Sequence, residues 1–352
     1  MISKIAYLLI SVSLLGLILI GNIFAKFLPS KRDEGIKGDF EKGLTSIIML
    51  NYNGEEIMHI IMKGIEAILS QSYPKLELIV VDDHSEDQSL RLLRELSEKL
   101  GDGRMRVVSS EKRRGVAGAR NIGLREAKGE FIAFIDSDAI PERDWIENLV
   151  NRLKSNIDHG ACVPKLVFLT CPNLINGFGA AINRLGYGVP IGANKEENGF
   201  RYPKEVMYGA GCGILVKREV FRKIGLFDEG FLFYGQDDSD LGVRMRDAGY
   251  KIFVVPESRV FHKSFHSNTQ FDANFWNNRN TIRFVLKHYS MQDLIRWYRW
   301  KWREFLLIEH KTPQIKCWLS NFWEIPSILR FRRENTGLGS FLDRYERFMR
   351  EI

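Results

Sequence analysis

The sequence predicts an α/β fold, a mostly parallel sheet with helices on both faces, with an N-terminal transmembrane helix and a C-terminal helical extension. Three observations predict it. Short apolar runs alternate with amphipathic stretches between residues 44 and 135, no charged residue occurs from Ile5 to Ala25, and beyond Phe275 the pattern is helical, basic and aromatic. Strands separated by helix-length segments join as parallel neighbours, because each crossover lays a helix on a face of the sheet.

Taken in order, the first 25 residues read as one transmembrane anchor, since roughly 20 apolar residues at about 1.5 Å rise each cross a hydrocarbon core. A cleaved signal peptide is the rival reading, but the run is long for one and Ile23-Phe24-Ala25 is a poor cleavage site. Lys26, Lys31, Arg32 and Lys37 follow the run against Lys4 before it, so the positive-inside rule places a single-pass protein's catalytic body in the cytoplasm. Residues 26–43, charged and carrying Pro29 and Gly35, read as a stalk. Strands are expected at 44–50, 76–81, 105–108 and 131–135, and helices at 55–70, 89–100, 117–127 and 144–153. The polar, Gly- and Asn-rich stretch 174–199 reads as loops over a site. A strand follows at 250–255, and helices from 275. The boundaries implied are a nucleotide-sugar half at 44–150, an acceptor and catalytic half at 151–265, and a helical region at 266–352.

With 352 residues, 45% of them hydrophobic, the chain can bury a full core, which excludes disordered and collagen-like classes. Its net charge of +7 suits an anionic membrane surface or a negatively charged substrate. Nucleic-acid binding is not expected, because no recognised motif accompanies the basic residues. Cys162, Cys171, Cys212 and Cys317 form no Cys-x-x-Cys pair and read as reduced core thiols rather than a zinc site.

Three constellations could carry chemistry. Asn51 and Asn53, Asp82 and Asp83, and Asp136 and Asp138 end successive strands, and a parallel sheet would align them on one rim. Directional acceptors such as Asp82 or Asp83 suit a base or ribose, and a close carboxylate pair suits a hard divalent cation on a diphosphate. Capping a helix explains Asp82-Asp83 as well. In the second, Gly115 to Gly123, glycines admit close backbone approach while Arg120 and Asn121 open a helix, suiting a diphosphate or sugar hydroxyls; a plain helix entry is the rival. In the third, Gln236-Asp237-Asp238-Ser239-Asp240, three carboxylates in four residues repel one another and raise the pKa of at least one, so that it can take a proton. A solvated helix N-terminus explains it too. His262 closes an apolar run, as a structural histidine or a ligand beside the acidic pair.

Together these residues resemble the inverting family 2 glycosyltransferases of the GT-A fold, rhamnosyltransferase-like members in particular, over about residues 44–290. The landmarks are Val81-Asp82-Asp83-His84-Ser85, Ala119-Arg120-Asn121-Ile122-Gly123, Ile135-Asp136-Ser137-Asp138, Gly209-Ala210-Gly211-Cys212-Gly213, and Gly235-Gln236-Asp237-Asp238-Ser239-Asp240-Leu241. The resemblance implies a sugar moved from a nucleoside diphosphate donor to a hydroxyl on a glycan or lipid-linked acceptor. It implies that Asp82 contacts the nucleotide, that Asp138 and Asp136 hold Mn2+ or Mg2+ with His262 as a further ligand, and that Asp238 is the base. Gln236-Asp237-Asp238 departs from the Glu-Asp of many members, leaving Asp237 as the alternative base. The spacing to Asp240-Leu241 and Arg244 favours Asp238.

Processive synthases of that family carry Gln-x-x-Arg-Trp, whereas Gln292-Asp293-Leu294-Ile295-Arg296-Trp297 has one residue too many. Addition of one or few sugars is therefore expected. The interleaved Trp297, Arg299, Trp300, Lys301 and Trp302 read equally as a membrane-surface helix or as a helix packed on the domain. The rival functions are a nucleotidyltransferase, against which stands the absence of a Gly- and Lys-rich loop after the first strand, and a non-catalytic membrane-anchored nucleotide-sugar-binding protein.

Overall fold

The computed structural model describes residues 2–24, 36, 38–264, 270–307, 312–334, 339–350 and 352. In chain order its first half contains α1 (Ile2–Phe24), β1 (Glu41–Asn51), α2 (Met58–Leu69), β2 (Leu76–Asp82), α3 (Ser89–Leu100), β3 (Met105–Ser109), α4 (Gly115–Glu126), β4 (Gly129–Asp136), β5 (Ala139–Pro141), α5 (Trp145–Lys154) and β6 (His159–Phe168). There follow β7 (Ile175–Gly177), β8 (Ala180–Ile182), β9 (Gly188–Pro190), β10 (Lys204–Glu205), β11 (Leu215–Lys217), α6 (Arg218–Ile224), α7 (Asp237–Asp247) and β12 (Lys251–His262). The helical end comprises α8 (Gln270–His288), α9 (Met291–Leu307), α10 (Thr312–Leu319), α11 (Ile325–Glu334), α12 (Phe341–Arg344) and α13 (Glu346–Met349).

The main sheet runs β10-β12-β6-β11-β4-β1-β2-β3, with β5 added to β12 and β7 to β6. Strands β3, β2, β1 and β4 are parallel, β11 opposes both β4 and β6, and β12 runs parallel to β6. Six strands thus share one direction, as the sequence led us to expect. Alternation along them sorts side chains to two cores. Ile48, Ile79, Ile132 and Phe134 pack on one face against α4 and α6 residues such as Leu124 and Phe221. Ile47, Leu78, Val80 and Ala133 pack on the other against Ile61, Ile65 and Leu149 of α2 and α5. Burial on both faces explains why these strands read as continuous apolar runs.

Several expectations change. Strand β1 starts at Glu41 rather than at 44, and of the stalk 26–43 most residues lie outside the described ones. Within 174–199, read as loops only, β7, β8 and β9 form and Ile175, Phe178 and Ile182 are buried, because a few apolar residues between the glycines suffice for a two-stranded flap. Strands β6 and β11 went unread: β6 mixes polar and apolar residues yet is buried along nearly its whole length.

The single-pass anchor is not supported. No helix among the described residues is long and apolar enough to cross a membrane. Instead α1 packs on α10 and α11, burying Leu14 and Ile18 in a core shared with Trp297, Trp318 and Ile328. A flank of the apolar helix is thereby covered by protein. Helix α9 is in good part a packed helix: Trp297 is fully buried, its Nε1 donating to Leu185 O at 2.9 Å, and Lys301 donates to the Tyr187 hydroxyl at 2.6 Å.

Candidate active site

The strand order reverses at β1, which has β2 on one side and β4 on the other, and open α/β sheets bind ligands at the carboxyl ends flanking such a point. A cleft of ≈ 780 Å³ lies there, lined by Asn51, Asp83, Arg120, Asp136, Asp138, Asp237, Asp238 and His262 among others. Register aligns Asn51 with Asp82, and Leu50 with Asp136, so the strand-end groups do share a rim.

Strand pairing makes the acidic corner. Strand β5 runs antiparallel to the end of β12 with Ala139 opposite His262, which brings the imidazole beside residue 138 across a sequence gap no spacing rule bridges. His262 Nε2 lies 3.1 Å from Asp138 Oδ1 and 3.8 Å from Asp136 Oδ2. On the far side of the ring, Nδ1 is 3.0 Å from Asn176 Oδ1, and the Asn176 amide donates to Ser264 Oγ at 2.9 Å. Asn176 Oδ1 is therefore placed to accept from Nδ1–H, while Nε2 faces the carboxylates, donating to Asp138 when protonated and free to ligate a cation once that proton is released. Burial disfavours the imidazolium, but the hydrogen bond and charge of Asp138, reinforced by Asp136, outweigh it and raise the His262 pKa. Burial in the cleft also raises Asp136.

Cys212 stands in the same corner, its sulfur close enough to Asp136 and His262 to form a three-residue donor set. The sequence left it as a core thiol. Burial, with the neighbouring carboxylates, pushes that thiol well above its ordinary pKa, and a soft sulfur suits a hard cation less well than carboxylate oxygen does.

Across the cleft, the N-terminal turn of α7 presents Asp237 and Asp238 to Arg120 of α4. The buried guanidinium donates to Asp237 Oδ2 at 2.6 Å and to Asp238 Oδ1, with Asp136 Oδ1 3.9 Å away. Asp238 Oδ2 accepts from Gly211 N at 2.8 Å. A Cβ at Gly211 would lie 1.7 Å from an Arg120 nitrogen, so that glycine is what lets the backbone close on the clamp. Asp237 is pushed up to about 7 by burial first and by the Asp238 charge next, against Arg120. Of the pair, the Asp238 side chain is the more open to the cleft, at 25% exposure against 6%. Four carboxylates thus face one arginine and one histidine. That surplus of negative charge is what a divalent cation offsets, and two carboxylates with an imidazole lone pair are a fitting donor set for one.

Not every expected residue faces the cleft. Asp82 is fully buried and spent on the turn after β2, accepting from Asn51 Nδ2 at 2.7 Å, Ser85 Oγ at 2.6 Å and Ser85 N at 3.0 Å. Asp83 takes the rim position instead, braced by Arg114 N and Gly115 N at 2.7 and 2.8 Å. Adjacent strand residues point to opposite sides, so the sequence could not tell which of the two turns outward. Asn53, in a left-handed turn at φ 47°, accepts from Glu86 N and lines no part of the cleft. Asn121 is buried too, bonding both ways with the Phe227 backbone, and so ties α4 to the segment before α7. Asn51 and Arg120 do line it.

Sequence reading missed the support from α8. Asn280 Nδ2 lies within hydrogen-bond reach of the carbonyls of Leu232, Tyr234 and Gly235 at 2.8–3.1 Å, which fixes the segment leading into Asp237. Lys287 bonds both Asp228 at 2.7 Å and Asp240 at 2.6 Å, Arg283 pairs with Asp228, and His288 Nε2 meets Asp240 at 2.7 Å. The third carboxylate of the α7 cluster is therefore an anchor rather than a cleft group. Burial alone would raise Asp228 and Asp240, but Lys287 with Arg283, and Lys287 with Arg244, hold both low. Carboxylates held low lend stability above the ordinary carboxylate range and lose it as pH falls through their folded pKa. Asp228→Asn is expected to cost about 2 kcal/mol at pH 7, since it takes one carboxylate from Lys287 and Arg283, which keep Asp240 and Glu324 as partners. In denaturant titrations the gap to wild type should narrow toward pH 3; a gap independent of pH would contradict the assignment.

Comparison with known proteins fits this geometry. The family model Glycosyl transferase family 2 matches residues 46–225, just over half of the chain, from β1 past α6. The chain belongs to that family. A second model, described as the N-terminal domain of galactosyltransferase, matches 191–267, the stretch bearing Gly211, Asp238 and His262. The chain is 42% identical over 119 residues to an Escherichia coli UDP-Glc:alpha-D-GlcNAc-diphosphoundecaprenol beta-1,3-glucosyltransferase, covering 32% of this chain and 43% of that one. It is 28% identical over 247 residues to a glucosyl-dolichyl phosphate glucuronosyltransferase of Haloferax volcanii, covering 66% and 74%. Against three of its curated relatives, the E. coli protein among them, the chain spans 38–43% of their length. The crystal structure of GalNAc-T7 with UDP, GalNAc and Mn2+ superposes with a TM-score of 0.65 at 21% identity, over 88% of this chain and 56% of that one. At that identity the likeness is one of fold, and it supports the GT-A architecture expected from the sequence.

Proposed function

We propose that this family 2 chain is a metal-dependent, inverting glycosyltransferase moving a hexose or deoxyhexose from a nucleoside diphosphate to a hydroxyl of a lipid-linked glycan. The observation that carries the reading is the convergence of Asp136, Asp138 and His262 on one wall of a cleft whose other wall presents Asp238. Asp83, on the rim at the end of β2, would take the nucleoside, with Asn51 bracing the buried Asp82 and Ser85 beside it. Asp136, Asp138 and the His262 Nε2 would hold a divalent cation, which supplies charge compensation to the departing diphosphate. Mn2+ and Mg2+ both suit the donor set. Arg120 and Gly211 N hold Asp238 aimed into the cleft, and a carboxylate so held accepts the acceptor's hydroxyl proton as that oxygen bonds to the anomeric carbon. The bond from that carbon to the diphosphate oxygen breaks on the opposite side, its electron pair leaving with the nucleotide, which inverts the configuration.

The lipid-linked acceptor rests on the names of the E. coli and Haloferax relatives, both of which act on polyprenyl-bound sugars. A nucleotidyltransferase is disfavoured by family membership. Incubating the chain with Mn2+, a panel of UDP, GDP and dTDP sugars and a polyprenyl-diphosphate glycan tests the reading. Formation of the anomerically inverted product is expected. Donor binding without hydrolysis or transfer under any of these conditions would leave a binding protein in its place.

A further inference from the structure

We infer that the exposed face of α1, with the α10–α11 corner, is a surface by which the chain docks on an anionic lipid bilayer. The inference is independent of the sugar-transfer reading. Helix α1 is apolar all round, and such a helix belongs in a core or in lipid. The fold covers only part of it. Leu14 and Ile18 are fully buried, the Ser11 hydroxyl meets the Tyr298 hydroxyl at 3.0 Å, and Gly21 allows a close approach to Leu329.

The other side is open. Leu9, Val12, Leu17 and Ile20 are 43–61% exposed and, at about 100° per residue, share an arc of about 140°. At the α10–α11 corner, Leu319 at the end of α10 and Trp323, in the turn between the two helices, are also exposed, Trp323 at 90%. An exposed tryptophan at this corner suits the headgroup boundary, where the ring is buried and the indole N–H stays hydrated.

Charge selects the occupant. Residues 266–352 hold fifteen Lys and Arg against nine Asp and Glu, so this end carries most of the net +7 of the chain. Lys316, one helical turn before Leu319 on α10, is exposed, as are Arg299 and Arg303 of α9. An apolar face bordered by a basic surplus matches an anionic bilayer, whereas a second copy would bring the same positive charge against itself.

Vesicle sedimentation with the full chain tests this. Binding to phosphatidylcholine vesicles containing phosphatidylglycerol is expected to exceed binding to phosphatidylcholine alone by at least 10-fold and to weaken in high salt. The Leu17→Glu, Ile20→Glu double variant should lose at least 10-fold in partition at an unchanged melting temperature. Trp323→Ser, at a side chain too exposed to affect folding, should weaken partition by a smaller factor. Wild-type protein left in the supernatant, variants that bind as wild type does, or a dimer in light scattering that the double variant dissociates would each overturn the proposal.

Discussion

Asp238→Asn is expected to lower the turnover number by about 10³-fold with donor and metal binding unchanged, within the usual range for a positioned general base. The amide keeps the shape of the carboxylate, and its oxygen can still accept from Gly211 N or Arg120, so the α7 turn should hold its place. The proton acceptor is lost together with one of those two hydrogen bonds. The same substitution at Asp237 discriminates between the neighbours: Asp237 is nearly closed to the cleft and held near neutrality by burial, so Asp237→Asn should relieve crowding around Arg120 and reduce turnover far less. Steady-state rates for both variants, with donor affinity from calorimetry, separate the roles. Equal losses would mean that the pair acts as one unit, and a larger loss at 237 would reverse the assignment.

Asp138→Asn should abolish Mn2+-dependent donor binding, weakening metal affinity by at least about 100-fold, more than the 10–100-fold typical of removing an outer-shell partner. Its second consequence concerns His262. Asp138 is the main group raising that imidazole against burial, so the variant's His262 should titrate at lower pH, visible in the ring-proton NMR shifts of the metal-free protein. In wild type the sign is set by competition. A raised His262 stays protonated to higher pH and cannot ligate until it releases its proton, so Mn2+ affinity should climb as pH rises through and beyond the ordinary imidazole range. A thermal-shift titration at several pH values reads this, and an affinity flat over that range would remove His262 from the ligand set.

Much of the nucleotide-side architecture was legible because its code is local. The runs at β1, β2 and β4 are apolar on both faces, and each ends in polar residues, so both the strands and their carboxyl-end rim follow from alternation with helices. Harder to read was the direction of single side chains at a turn. Asp82 and Asp83 are chemically identical neighbours, and only the turn geometry, with Ser85 and Asn51 closing on one and Arg114 N and Gly115 N on the other, separates the buried brace from the rim group. Asn176 and Asn280 carried no motif at all. Their roles arise from where a two-stranded flap and a distant helix come to rest.

Sequence alone determined the fold class, the carboxylate-bearing strand ends and the family resemblance, because periodicity and local spacing encode elements and their termini. Tertiary structure decided the rest. It placed His262 on Asp138 through β5–β12 pairing, closed Arg120 over Asp237 and Asp238, turned Asp240 into an anchor, and laid the apolar first helix along α10 and α11. Each of these is a contact between residues from 47 to more than 300 positions apart, governed by strand register and helix docking, and none is written in any local pattern.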